Sequence, residues 1–235
     1  MKGFSLLELS IVVVIIALLT AGATAGSQIL QNAQIFNNIR QFTQTETAIT
    51  NFKERYLALP GDFSAAHRYF DDSTDLICGT ASECNGDGDE QIELGTKYES
   101  EIFRAWQHLN LAGLAKNDYS GIWGEGEYYL QGTYQGNFSL QYDELQERNV
   151  IKLGSLISIS EVSDGAALDP ETAEKFDLKL DDSNPLKGAI RAYGAYVAGD
   201  KALGTSYSLD CVEETNNLYN VAYAEPACVL TLLLD

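Results

Sequence analysis

An apolar run of 22 residues, from Phe4 to Ala25, opens this 235-residue chain with one charge inside it, Glu8. As a helix it would rise about 33 Å, close to the thickness of a bilayer's hydrocarbon core. A segment of that kind belongs in lipid, so any globular fold has to be built from the residues that follow. Lys2 precedes the run, and the excess of positive charge on the cytoplasmic side of membrane segments puts the N-terminus inside and the remainder outside. Glu8 is the anomaly. A lone carboxylate in a membrane-length segment is costly unless something pairs with it. Ala21-Gly22-Ala23 imitates the small-residue cleavage site of a secretory signal peptide. The competing reading is a cut ahead of the run, after Gly3, which leaves the helix attached. A residue without a side chain there lets a peptidase approach the backbone closely.

Gly3-Phe4-Ser5-Leu6-Leu7-Glu8-Leu9 resembles the prepilin motif of type IV pilins and type II secretion pseudopilins. The resemblance implies that a membrane peptidase and methyltransferase cuts between Gly3 and Phe4 and N-methylates the new terminus of Phe4. It implies that Glu8 serves assembly, meeting the Phe4 amine of a neighbouring subunit so that neither charge stays unpaired in an apolar medium. Pairing of Glu8 with its own Phe4 amine, one helical turn away, is the alternative. The implied partners are other pilin subunits through their N-terminal helices, the processing enzyme and the inner membrane. The implied location is the bacterial inner membrane before assembly and an extracytoplasmic filament after it.

The helix is expected to continue past the membrane. Ile29, Phe36, Ile39, Phe42, Ile49, Phe52 and Tyr56 recur at three, four or seven residue steps among Gln, Asn and Thr, an amphipathic helical pattern. Pro60-Gly61 ends it. A helix from Phe4 to about Leu57 would be roughly 80 Å long. Gly22 and Gly26 weaken its middle, by about 1 kcal/mol each relative to alanine; many pilins carry a helix-breaking proline near this point, where this chain has Ala25-Gly26. The expected organisation is a leader at 1–3, a transmembrane half at 4–25, an amphipathic continuation at 26–59 and a globular head at 60–235.

Charge separates the two parts. The chain holds 34 acids and 15 bases, of which residues 1–60 hold three and four. The remaining 175 residues therefore carry 31 acids and 11 bases, a net charge of −20. So acidic a head is a poor partner for nucleic acid and suits cations or basic surfaces. Cys78, Cys84, Cys211 and Cys228 should be oxidised outside the cytoplasm. They allow three connectivities; the expectation is local pairing, Cys78–Cys84 and Cys211–Cys228, the second resembling the C-terminal disulfide loop of many pilins. Thiolate metal ligation fits badly, because no CxxC spacing is present.

After Cys84 comes Asn85-Gly86-Asp87-Gly88-Asp89-Glu90-Gln91-Ile92-Glu93. Oxygen side chains at loop positions 1, 3 and 5 and Ile at 8 resemble the start of a calcium loop. Asn85, Asp87, Asp89, Gln91 and Glu93 are the candidate ligands. Glu90 stands where such loops carry glycine and Thr96 where they carry glutamate, so Glu99 or Glu101 would complete the shell. A solvated acidic turn is the alternative.

The head reads as α+β with an antiparallel sheet. A helix is expected over Tyr98–Leu114, strands over 127–134, 137–142, 150–158 and 189–193, a last strand from Cys228 to Leu234, and a helix over 169–180 with Asp169 as N-cap and Pro170 at its first position. Asp181 and Asp182 could hold a second cation, although such pairs more often cap a turn. His67 and His108 lie in unrelated contexts, His108 in a core helix, and no phosphate-cradling loop, GxSxG or HExxH is present. No enzyme is expected. The reading is a structural filament subunit of a type IV pilus or a type II secretion pseudopilus, with a membrane-anchored calcium-binding or adhesion module that never polymerises as the alternative.

Overall fold

The structure is a computed structural model and describes residues 5–70, 78–96, 99–122, 124, 127–157, 162–194, 210–213 and 216–234. Gly3 and Phe4 lie outside the described residues, as do Tyr98 and Ser158 at the ends of two expected elements.

Helix α1 runs unbroken from Leu6 to Tyr56, 51 residues and about 76 Å, through both Gly22 and Gly26. It starts with a capping box: Leu7 N–H donates to Ser5 Oγ (3.2 Å) and Ser5 N–H donates to the Glu8 carboxylate (2.9 Å). The acid inside the apolar run is thus the N3 residue of its own helix. In the same run Ser10, Thr20 and Thr24, and just past it Ser27, each donate to the carbonyl three residues back, at 2.8–3.0 Å. The run therefore satisfies its own hydroxyls, as lipid requires. By length and composition α1 can cross a membrane, and none of its apolar window is buried among the described residues.

The second half of α1 is the spine of the head. Ile35, Asn38, Phe42, Thr45, Ala48, Ile49 and Phe52 are buried along one face. This corrects the expected stripe in phase. Ile29 and Phe36, which the periodicity puts in the same apolar stripe, are 68% and 53% exposed, because the head covers the face centred on Asn38, roughly opposite them on a 3.6-residue turn. Phe36 is instead covered in part by Lys179, whose Nζ lies 4.1 Å from the ring centroid. Asn38 Oδ1 accepts the N–H groups of Thr133 (2.6 Å) and Tyr134 (3.0 Å), so a buried polar residue in the stripe fixes the loop it faces.

Three short helices follow: α2 (Ala66–Phe70), α3 (Ala81–Cys84) and α4 (Glu101–Leu111). Then come strands β1 (Leu130–Gln131), β2 (Asn137–Asp143) and β3 (Arg148–Gly154), helix α5 (Pro170–Leu180), and strands β4 (Ile190–Gly194) and β5 (Cys228–Leu233). The sheet is antiparallel in the order β1-β2-β3-β5-β4. The expected strand at 127–134 shrinks to the two residues of β1. Asp169 caps α5 by accepting from Thr172 N–H (2.9 Å), with Pro170 at the first turn, as expected.

Alternation gives the sheet two unlike faces. Phe138, Leu140, Ile151, Leu153, Leu230, Leu232, Ile190 and Ala192 share one, which joins the spine where Phe42 meets Phe138 edge-on at 4.8 Å. The other carries a row of directly paired polar residues, Ser139, Lys152, Thr231 and Arg191. Lys152 is buried there between Asp143 (2.9 Å) and Asp164 (2.7 Å), and these two carboxylates hold its ammonium charged despite its burial.

The corrected stripe makes a quantitative prediction. Phe52→Ala should destabilise the head by about 3–5 kcal/mol, and Phe36→Ala by less than about 1 kcal/mol. Denaturant titration of the detergent-solubilised full chain, followed by tryptophan fluorescence, measures both.

Candidate functional site

Where the spine hands over to the head, the backbone is forced through a narrow passage. α1 stops at Tyr56 and Leu57 takes a left-handed conformation (φ 54°, ψ 34°), its N–H still bonded to the Lys53 carbonyl. Pro60 has no N–H to continue a helix. Gly61 follows at φ +94°, packed so closely on the Glu101 carbonyl that a Cβ would collide with it. Its N–H donates to His108 Nδ1 (2.9 Å), so the His108 proton sits on Nε2 and is donated to the Cys84 carbonyl (2.7 Å). His108 is fully buried and stacks on Phe52 at 6.0 Å between ring centroids. Burial pushes its pKa down to about 4. This histidine is a neutral structural tie between spine exit, α4 and the first disulfide, in line with its expected place in a core helix.

Both cysteine pairs form locally, Cys78–Cys84 and Cys211–Cys228. The first closes a short loop and delivers the chain directly into the acidic segment 85–93. That segment lies across the spine exit: a Cβ on Gly86 would strike the backbone of Gly61 and Asp62. Two buried carboxylates hold it from below. Asp62 accepts the N–H groups of Gly88 (2.5 Å), Asp89 (3.1 Å) and Glu90 (2.8 Å). Glu101, at the start of α4, accepts those of Asp87 (2.9 Å) and Glu93 (3.2 Å). From the sheet, Asn149 accepts from Ile92 N–H (2.9 Å) and donates to the Glu90 carbonyl (2.7 Å). Within the segment Asp87 accepts from Asp89 N–H and Asp89 from Gln91 N–H.

Acidic oxygens converge in two groups that share Asp87. Asp62, Asp87 and Glu101 have ligand atoms within 4.8 Å of one another, and so have Asp87, Asp89 and Glu93. Three of the five expected ligands, Asp87, Asp89 and Glu93, are thus brought together. Asn85 is not, because its carboxamide oxygen accepts from His67 N–H (2.8 Å) and so caps α2. Gln91 reaches one member of the group, its Nε2 donating to Asp89 Oδ2 at 3.5 Å. Of the two proposed completing acids, Glu101 joins the group while Glu99 accepts from Thr96 Oγ1 (3.0 Å). Asp62 is the member that sequence spacing missed. It lies 25 residues before Asp87, and only the Pro60-Gly61 turn, which aims the chain back at the loop, hints at it. Glu90, in the glycine position of a calcium loop, does adopt the left-handed backbone that position needs (φ 72°).

The electrostatics follow from crowding. Burial pushes Glu101 up to about 7, reinforced by Asp62 and Asp87 and opposed by its two N–H donors. Asp62 is raised for the same first reason, with Asp89 and Asp87 adding to it. Their relative exposures are only 4% and 5%. Arg104 is the neighbouring cation; its guanidinium donates to the Ser82 carbonyl (2.6 Å) and to that of Asn85. Among the described residues these five carboxylates outnumber the neighbouring guanidinium, and the donor set is all hard oxygen, which suits calcium or magnesium.

Asp181 and Asp182, the other acidic pair, cap backbone. Asp181 accepts from Ala189 (2.5 Å) and Ile190 (3.2 Å) N–H, and Asp182 from Asn184 N–H (2.9 Å). Family models, curated proteins and solved structures give no match to this chain.

Glu101 sets a pH dependence. Its folded value, about 7, lies above its ordinary 4.5, so the folded head binds the proton more tightly than the unfolded chain. That stabilisation is complete below about pH 4.5 and is lost as pH rises through about 7. In chelator, the melting temperature should therefore rise from pH 8 to pH 5.5. Glu101→Gln should flatten that slope in a calorimetric series.

Proposed function

We propose that this chain is a pilin-like structural subunit of a type IV pilus or a type II secretion pseudopilus, cut after Gly3 and assembled through its N-terminal helix. The observation that carries the reading is the form of α1. Its first half is apolar all round and bare, and its second half is buried along one face in the head, with no break between them. A plain anchor needs only the first half. A subunit whose head must be held at a fixed angle to its neighbours needs both, because a continuous helix packed into a core transmits orientation across the membrane surface.

Glu8 fits the same reading. One carboxylate oxygen takes the Ser5 N–H; the other can receive the amine that cleavage creates on Phe4. An amine from a neighbouring subunit would satisfy both charges in an apolar surrounding and set the axial register. Mass spectrometry of the membrane-extracted protein tests the processing: the expected mature N-terminus is methylated Phe4, and a start near residue 24 would overturn the reading. Glu8→Ala should yield cleaved, membrane-inserted protein whose incorporation into filaments falls at least tenfold; normal incorporation would refute the assembly role.

A divalent cation at the spine–head junction belongs to this reading. Asp62, Asp87 and Glu101, with Asp89 and Glu93 on the outer side, would hold calcium, and the ion would clamp the spine exit to α4. Their support is the convergence of five hard-oxygen donors and the raised pKa of the two buried ones. A ligand at 100 times its Kd adds about 2.7 kcal/mol. Calcium in that excess should raise the melting temperature of the full chain at pH 7.5 by several degrees over chelator, and Asp87→Asn should remove most of the gain. Identical melting in calcium and chelator would dismiss the ion.

A further inference from the structure

On the other side of the head, α5 meets the loop closed by Cys211–Cys228. Asp177 is fully buried on the inner face of α5. Its carboxylate accepts from Tyr219 Oη–H (2.8 Å) and from Ser183 N–H (3.1 Å). Tyr219 lies within the disulfide-closed segment and is buried as well. It also pairs across that segment with Val212. The Asp177–Tyr219 contact is therefore a side-chain tie between α5 and the disulfide loop.

Among the described residues, the surroundings of Asp177 are one-sided in charge. Asp181 and Asp182, from the turn that ends α5, bring carboxylate oxygens within 4.8 Å of it. Glu174, one turn back, acts on Tyr219. The cations of α5 point elsewhere, Lys175 to Glu171 (2.7 Å) and Lys179 to the Phe36 ring. Lys187, in the turn before β4, is exposed. From β4, Arg191 sends its guanidinium to Gln146. β5 contributes no ionisable side chain, its Cys228 being held in the disulfide.

We infer that Asp177, Tyr219 and the Asp181-Asp182 turn form a pH-operated latch, which fastens the C-terminal disulfide loop to α5 in mild acid and loosens it toward neutral pH. With a proton on Asp177 the buried charge and its repulsion from the two neighbouring aspartates vanish, while a carboxyl group still accepts from the Tyr219 hydroxyl. Without the proton, that charge must be kept among like charges in a dry site. Burial is the main cause that pushes Asp177 up to about 6 from 3.8; the hydrogen bonds from Tyr219 and Ser183 oppose it, and Asp182 and Asp181 add to it. The folded value is above the unfolded one, so the latch is tightest below about pH 4 and weakens as pH rises through about 6. Tyr219, raised by burial and by Asp177 itself, stays protonated throughout. What loosens is a loop that carries Leu218 and Val221 exposed on either side of Tyr219.

Hydrogen exchange on the full chain in detergent, with divalent ions chelated and each rate corrected for the intrinsic pH dependence of amide exchange, tests the latch. Corrected exchange at residues 216–223 should rise about tenfold between pH 5 and pH 7.5 in the wild type. Asp177→Asn, which can still pair with Tyr219 and Ser183, should show a flat profile there. It should leave the profile at residues 85–93 unchanged. Parallel wild-type and Asp177→Asn profiles at 216–223 would overturn the latch. If Asp177→Asn does not fold, Asp182→Asn decides: removing one neighbouring charge should move the midpoint of the rise to lower pH, and an unmoved midpoint would overturn it equally.

Discussion

The burial of one face of a long helix in the head is the interaction on which everything else depends. Ile35, Asn38, Phe42, Ile49 and Phe52 are core residues of the globule and at the same time consecutive turns of a helix that leaves it. A sheet laid on that stripe cannot swing relative to the apolar half of α1 without exposing Phe42 and Phe52. Asn38 adds direction to the packing. Its two accepted N–H groups fix the 132–136 turn against the spine, in a way that apolar contacts alone would leave loose.

Much of this was legible before any coordinates, and the failures have physical causes. The apolar run, the one-faced continuation, the Asp169-Pro170 helix start and the α+β order all follow from period and capping, which are local properties. Phase is less local. Ile29 and Phe36 obey helical spacing as well as Phe42 does, and only the position of the sheet decides which of two faces is covered. The Ser5-x-x-Glu8 spacing is that of a capping box, but the same carboxylate also reads as an unpaired charge in lipid, and the two readings compete in sequence. In the junction, Asp87, Asp89 and Glu93 were readable because they are close in sequence. Asp62 comes from a different element, and the diversion of Asn85 to His67 depends on where α2 lies. The buried Lys152 escaped too, since alternation marks the polar face of a sheet as wet. Here Asp143 and Asp164 enclose the ammonium and make burial tolerable.

The acidity of the head is distributed with more purpose than its net charge suggests. Several of its carboxylates end helices, hold turns or catch loop amides. The carboxylates of Asp62, Glu101, Asp169, Asp177 and Asp181 between them accept nine backbone N–H groups. Where these acceptors are buried together, at the junction and beside Tyr219, the same hydrogen bonds that organise loops also concentrate charge. Those are the two places where protons or cations have most leverage on the fold.

The inward-turned hydroxyls of Ser10, Thr20, Thr24 and Ser27 have a consequence for the first half of α1. With backbone and side-chain polar groups closed upon the helix itself, its surface is indifferent to whether hydrocarbon or another apolar helix lies against it. Such a rod can be withdrawn from a bilayer into a protein packing, and returned, without remaking a hydrogen bond along its flank. Under the proposed assembly, the exchange would be nearly reversible everywhere but at Glu8, and direction would come from that one residue near the start of the helix.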